Sequence, residues 1–383
     1  MFSFEFATAN RIIFGAGKLN ELGKHIEGNA KRLLLVCGHS SDAIPRMREI
    51  LSVLGISFIE FQVYGEPTVD VIRAGIKAAG NCDMVIGLGG GSVLDAGKAI
   101  AALVNNPGDV FDYLEVIGKG QPLVKAPLPY IAIPTTAGTG SEVTRNSVIE
   151  SPEQNVKVSL RSPLMLPRVA LVDPELTYRL PPEITASAGL DALTQLMEPF
   201  VSVKANPMTD AICREGIYYA ARSLKRAYEN GMDKEAREGM SLASLFGGLA
   251  LANAALGAVH GFAGPLGGML HAPHGALCAR LLPFVMEANI RALETRQPQH
   301  PALGRYVEIA KILTDQKDAT VQDSVSWTSQ LVDTLKIPGL STYGMSEKNF
   351  PEAVEKTMKA NSFKGNPIAL DEDELRLILE KAL

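Results

Sequence analysis

Three of the chain's six histidines lie in one uncharged, glycine-rich run, AVHGFAGPLGGMLHAPHG, at residues 258–275. Neutral imidazole is a common ligand for divalent transition metals. His260 and His274, fourteen positions apart, are too distant to share a helix face unless the chain bends between them. Gly264-Pro265 and Gly267-Gly268 are the expected bend, because proline interrupts the helical ladder and glycine allows a tight backbone. Upstream, Asp191, Thr194, Gln195 and Glu198 recur at i, i+3, i+4 and i+7, one face of a predicted helix. One aspartate and two histidines with a vacant position make the composition of an open catalytic metal site. Two readings fit these residues alone: metal ligands gathered by tertiary folding, or polar residues of packed helices with Asp191 solvated or capping.

The elements that must position them fall into two groups. From Lys31 onward the pattern alternates: strands at Lys31 to Cys37, Ile56 to Val63 and Asp83 to Leu88, with helices at Asp42 to Leu54 and Val69 to Ala79. The third strand ends in Gly89-Gly90-Gly91-Ser92, which opens another helix. Such a turn is either a plain tight turn or an anion site, where free amide hydrogens and the helix dipole meet a phosphate. The next strand, Pro129 to Pro134, runs into Thr135-Thr136-Ala137-Gly138-Thr139-Gly140-Ser141-Glu142, a second polar cradle on the carboxyl edge of a predicted parallel sheet, where open α/β folds bind ligands. Lys157 and a strand at Val169 to Asp173 follow. Ahead of this region, FSFEF and RIIFGAG read as a strand-and-turn opening that could pair with another subunit. After Leu180 helical periodicity replaces the β signal, so the boundary is expected near residue 178: an α/β unit over residues 1–178 and an all-helical unit over 179–383.

Composition bounds the function. With 383 residues, 46% hydrophobic, 21% charged and a net charge of −5, the chain reads as a soluble globular protein with no electrostatic footprint for nucleic acid or an anionic membrane. Cys37, Cys82, Cys213 and Cys278 are scattered without Cys-x-x-Cys, which argues against disulfides, zinc ribbons and iron–sulfur sites and for reduced thiols in a cytoplasmic protein. The opening residues lack the basic and apolar blocks of a signal peptide. Between Glu238 and Arg280 no side chain carries a formal charge. That run is long enough to cross a bilayer, yet it is too polar and too broken by glycine for lipid and is expected as helices buried in protein.

GEPTVD, GLGGGSVLDAGKAIA, IPTTAGTGSEVT, VALVDPELT, GLDALTQLMEPFVS and AVHGFAGPLGGMLHAPHGALCA, in this order and over nearly the whole chain, resemble an iron-containing (group III) alcohol dehydrogenase. The resemblance implies a dehydroquinate synthase-like fold: an α/β nucleotide-binding domain, an all-α metal- and substrate-binding domain and a cleft between them. It further implies reversible hydride transfer between NAD or NADP and a small alcohol or aldehyde, a divalent iron or zinc ion, and a dimer or larger homo-oligomer. By similarity, Gly90, Gly91, Ser92 and Asp95 would hold the cofactor's pyrophosphate, and Thr135, Thr136, Thr139 and Lys157 its phosphates and nicotinamide ribose. Asp191, His260 and His274 would be metal ligands.

Two departures qualify these expectations. The family's second ligand, a histidine four after the aspartate, is Gln195 here. Relatives resembling glycerol dehydrogenase bind zinc with one aspartate and two histidines, and loss of an imidazole favours zinc over ferrous iron or weakens binding altogether. A histidine that the family often places four after the first is Gly264, while the extra His271 is either a pocket residue that could donate a proton or a bystander. The second departure follows the first predicted strand, where NAD-selective members carry an aspartate. Gly38 stands there, followed by His39, Ser40 and Ser41, which favours NADP. Leu256, Phe262 and Met269 suggest a modest apolar substrate. The competing readings are a metal-independent reductase resembling maleylacetate reductase, a cofactor-binding protein without turnover, and a lyase resembling dehydroquinate synthase.

Overall fold

A computed structural model describes residues 3–26, 30–38, 43–154 and 156–383. The chain divides into two compact units, Ala7–Arg179 and Leu180–Leu383, with the residues up to Phe6 belonging to the second.

The first unit holds strands β1 (Arg11–Phe14), β2 (Arg32–Cys37), β3 (Ser57–Gln62), β4 (Met84–Gly89), β5 (Tyr130–Pro134), β6 (Asn146–Ser151), β7 (Val156–Arg161) and β8 (Val169–Val172). Its helices are α1 (Ala43–Val53), α2 (Val69–Ala79), α3 (Gly91–Leu103) and the short α4 (Val110–Tyr113). Six strands form one sheet in the order β1-β8-β5-β4-β2-β3, and every pairing in it is parallel. Apolar runs such as RLLLVC and MVIGLG are buried on both faces, as a sheet covered by helices on each side requires. Leu34, Val36 and Val85 pack with Ile72 and Ile100 on one face. Leu33, Leu35 and Ile86 pack with Met47 and Leu51 on the other. Strands β2 and β4 are neighbours, but the chain leaves them toward opposite edges, so the loops after them flank the switch point where open α/β sheets take up ligands.

One feature of this unit has no counterpart in the sequence reading and another refines it. RIIF is β1, at the edge of the sheet, where it pairs on one side with β8; the preceding residues 3–9 carry no regular structure. Asp173 fixes that pairing by accepting from the amides of Gly17 and Leu19 at 3.0 and 2.9 Å. The antiparallel β6–β7 hairpin has no counterpart in the sequence reading, although Asn146–Ser151 alternates partly and fully buried residues, as a half-buried strand does.

The second unit is helical: α5 (Pro182–Val201), α6 (Pro207–Glu229), α7 (Lys234–Asn253), α8 (Ala258–Leu270), α9 (His274–Arg296), α10 (Pro301–Thr314), α11 (Val321–Thr334), α12 (Phe350–Lys359) and α13 (Glu372–Ala382). Small residues set its close approaches. A methyl group on Gly189 would lie 2.2 Å from Leu224 Cδ1, and one on Gly216 would lie 2.3 Å from Leu196 Cδ2, so α5 packs tightly on α6. The uncharged run is divided between α7, α8 and the start of α9, with α7 and α8 bent by 96°. Among the described residues no single helix is long and apolar enough to cross a membrane.

Candidate metal centre and phosphate cradle

Asp191 sits in the middle of α5, where the residues from Gly189 to Val201 are all buried. His260 lies in the first turn of α8, and His274 opens α9. The bend that joins the two histidines is not at Gly264-Pro265. α8 continues through Pro265 to Leu270, and His271 ends it in the left-handed region at φ 49°. The packing of a mostly buried helix outweighs the local cost of its proline, and a single αL residue ahead of Ala272-Pro273 makes the turn. Gly275 then allows α9 to start against α5, since a methyl group there would meet the Ser187 carbonyl oxygen at 2.6 Å.

Asp191 Oδ1 lies 3.4 Å from His260 Nε2 and 3.9 Å from His274 Nε2. Cys278, one turn beyond His274, brings its Sγ within 3.6 Å of His274 Nε2. These four ligand atoms all lie within 4.8 Å of one another. The outer partners fix how each ligand atom is aimed. Glu198 Oε2 holds His260 Nδ1 at 2.7 Å, and its Oε1 accepts from the Val259 amide at 2.7 Å. With the Nδ1 hydrogen given to Glu198, the Nε2 lone pair is left for the cluster. Gln195 Nε2 donates to Asp191 Oδ2 at 3.0 Å, which leaves Oδ1 aimed at the imidazoles. Asp191 Oδ1 and His260 Nε2 are buried and have no hydrogen-bond partner among the described residues, an arrangement that a divalent cation satisfies. Burial opposes charge on the imidazoles, yet the neighbouring Cys278 and Asp191 outweigh it: His260 is raised well above the ordinary histidine range and His274 to about 9. Burial likewise pushes Asp191 up, but His260 and His274 hold its carboxyl below the usual range. Two imidazoles beside these groups form a centre that attracts positive charge, whether protons or a metal ion. The side chain of His274 is 37% exposed against 2% for Asp191, so the cluster is open on the His274 side.

Sequence reasoning missed Cys278 and the role of Glu198. Both carried a signal: Cys278 follows His274 at i+4, and Glu198 stands at i+7 from Asp191 on the same helix face. Gln195, expected as a weakened ligand, braces Asp191 through its nitrogen, while its buried Oε1 has no hydrogen-bond partner among the described residues; a methyl group on Gly247 would lie 3.5 Å from it. His271 is exposed at the end of α8, outside the four converging donors. Phe262 is a fully buried core side chain rather than a pocket residue, while Leu256 and Met269 are half-buried.

In the α/β unit the two polar loops meet. α3 starts at Gly90 with no side-chain cap on its N-terminal amides. A methyl group on Gly91 would lie 2.6 Å from Thr139 Cγ2, and one on Gly90 would lie 3.3 Å from Thr136 Cγ2. Thr135, buried, donates its amide hydrogen to the Gly89 carbonyl at 2.9 Å. Glu66, from GEPTVD, accepts from Ser92 Oγ at 3.2 Å and from Lys157 Nζ at 2.9 Å, linking two expected cofactor contacts through a residue given no role in the sequence reading. Asp95, the other expected contact on α3, accepts from Ser141 Oγ at 2.5 Å and the Val148 amide at 2.9 Å. Buried Lys98 donates to Ser141 O at 2.8 Å and Asn146 O at 2.7 Å, so α3 anchors the threonine-rich loop from beneath. Burial pushes the carboxyl of Glu142, in the same loop, up to about 7. At Gly38 a side chain has room, the nearest atom being Val93 Cγ2 at 3.7 Å; His39, Ser40 and Ser41 lie outside the described residues.

Comparison with known proteins agrees with this architecture. Residues 9–174 match the family model of the iron-containing alcohol dehydrogenases, and residues 185–383 match the C-terminal model of the same family. Alcohol dehydrogenase 4 of Schizosaccharomyces pombe is 37% identical, with 97% of this chain and 87% of that protein aligned. The 1,3-propanediol dehydrogenase of Klebsiella pneumoniae is 32% identical over 99% of this chain and 98% of its own. A crystal structure of a 1,3-propanediol oxidoreductase superposes with a TM-score of 0.92 at 31% identity, covering 100% of both chains. With both units matched, the chain belongs to the iron-containing alcohol dehydrogenase family, whose members are metal-dependent, NAD(P)-linked oxidoreductases acting on alcohols and aldehydes.

Proposed function

We propose that Asp191, His260 and His274 hold the divalent cation of this oxidoreductase, zinc in preference to ferrous iron, and that the loops at Gly90–Ser92 and Thr135–Thr139 hold NADP in preference to NAD. The observation that carries the reading is the convergence of these ligand atoms with Asp191 Oδ1 and His260 Nε2 buried and unpartnered. Bound there, a dication supplies Lewis acidity to an alcohol or carbonyl oxygen, and a nicotinamide supplies the hydride acceptor or donor. The chain's own residues do the rest. Glu198 keeps His260 in the ligating tautomer, and Gln195 keeps Asp191 turned toward the imidazoles. The uncapped start of α3 offers amide hydrogens and the positive end of its dipole to a pyrophosphate, with Ser92 and Lys157 positioned by Glu66. Thr135, Thr136 and Thr139 add hydroxyl donors beside it, and Asp95 and Lys98 hold their loop. His271, exposed three residues before His274, lines the approach to the pocket.

NADP is favoured because Gly38 places no carboxylate where a 2′-phosphate would sit, leaving Ser40 and Ser41 to donate to it. Half-buried Leu256 and Met269 favour a modest apolar alcohol or aldehyde. Family likeness supports a cytoplasmic homodimer or larger homo-oligomer. The test is elemental analysis of protein purified without chelator, followed by turnover of an alcohol and aldehyde panel with either cofactor before and after metal removal. About one zinc per chain is expected, with activity lost on chelation and restored by zinc. Full activity without metal would sink the proposal in favour of a metal-independent reductase.

A further inference from the structure

We infer that the Cys278 thiolate is a fourth protein ligand, supplied by α9 in place of the imidazole that Gln195 replaces on α5. The inference rests on the reading that Asp191, His260 and His274 bind a divalent cation. The distances support it. Tetrahedral zinc with bonds of ~2.0–2.3 Å separates its ligand atoms by about 3.3–3.8 Å. Asp191 Oδ1 to His260 Nε2 is 3.4 Å, Cys278 Sγ to His274 Nε2 is 3.6 Å and Asp191 Oδ1 to His274 Nε2 is 3.9 Å. Two of the other three donors, Asp191 Oδ1 and His260 Nε2, are buried without partners, so Cys278 joins a set already aimed at one point.

The relay follows from helix geometry. Residues at i and i+4 share a face, so a ligand can come from α5 at Asp191 plus four or from α9 at His274 plus four. Here the first of those positions carries a neutral amide, its nitrogen given to Asp191 and its buried oxygen unpartnered among the described residues, a far weaker donor than imidazole, and the second carries sulfur. On metal binding the thiol proton leaves to solvent and the thiolate sulfur bonds the ion. A carboxylate and a thiolate together cancel the dication's charge, whereas one carboxylate with three imidazoles leaves a net positive centre. Thiolate is also the ligand that selects zinc from harder, oxygen-preferring ions.

Cobalt(II) loading tests this without reference to turnover, because sulfur bonded to cobalt gives an intense near-ultraviolet charge-transfer band that nitrogen and oxygen donors do not. Wild-type protein holding stoichiometric cobalt should show the band. Cys278→Ser should lose it, with zinc affinity falling on the order of 100-fold or more, beyond the cost of disturbing an outer partner. Adding Gln195→His to Cys278→Ser should recover affinity without recovering the band, whereas a double variant as weak as the single one would refute the exchange of positions. Stoichiometric cobalt without a band, or a band that survives Cys278→Ser, overturns the thiolate ligand and leaves the three-residue metal site intact. Failure to take up cobalt at all overturns both.

Discussion

Glu198 is the residue on which the centre's geometry most depends, although it touches no substrate. Its two oxygens serve two donors, His260 Nδ1 and the Val259 amide, which fix the carboxylate's orientation, and Gly257 makes room for it, since a methyl group there would lie 2.8 Å from Oε1. Glu198→Gln retains one acceptor oxygen for two donors and sets an NH2 group against the other. Loss of an outer hydrogen bond to a ligating histidine lowers metal affinity about 10–100-fold, and an unsatisfied buried donor costs about 1–3 kcal/mol. Competition with a chromophoric chelator should therefore show weaker zinc binding alongside a lower melting temperature. If only the melting temperature moved, Glu198 would be a helix brace and nothing more. The residue was legible in the sequence as the i+7 member of a polar helix face, but periodicity cannot say which partner a buried carboxylate meets. Cys278 was hidden for a different reason: its i+4 spacing from His274 marks a shared face of α9, but not that this face meets Asp191 and His260 from two other helices.

At the scale of elements, the ligand set is assembled by how closely α9 approaches α5. Gly275→Ala places a methyl group against the Ser187 carbonyl, which is backbone and cannot rotate aside. Relief must come from displacing the start of α9, which carries both His274 and Cys278. Overpacking of this kind costs about 1–3 kcal/mol, and the metal centre should suffer with it. The expected outcome is a lower melting temperature and weaker zinc binding in one variant, while Gly304→Ala, with open space around the added methyl group, changes neither. Zinc affinity unchanged in Gly275→Ala would mean that the donors do not depend on this contact. Element type was legible along most of the chain because buried parallel strands and amphipathic helices have distinct periods. The turn between α8 and α9 was not, since proline and glycine mark a local cost that a buried helix overrides, and His271 in the αL region is a conformation no residue type announces. The β6–β7 hairpin escaped notice because its turn lacks the two-residue glycine signal.

At the scale of the whole molecule, the metal donors all lie in one of the two units, and the single tryptophan reports on that unit. Trp327 lies in α11, within the helical unit that holds the metal donors, whereas the α/β unit has none. A cation that binds only the folded state stabilises it by RT ln(1 + [L]/Kd), about 4 kcal/mol when free metal exceeds Kd a thousandfold. For a unit of roughly 200 residues each kcal/mol moves the midpoint by about 2–4 °C, so stripping the metal should lower the Trp327-monitored transition by about 10 °C and zinc should restore it. Cys278→Ser should show a smaller zinc-dependent shift, because its weaker site is less occupied at the same free metal. The family was legible because its motifs run through both units in order, yet the reading of ligands by motif stopped at Gln195. A donor that changes helix is invisible to position-by-position comparison, and it shows only when α5, α8 and α9 are seen to bring their side chains to one point. A Trp327 transition indifferent to chelation would separate the metal from the stability of this unit and remove the thermodynamic reason for its two histidines to be held beside a buried carboxylate.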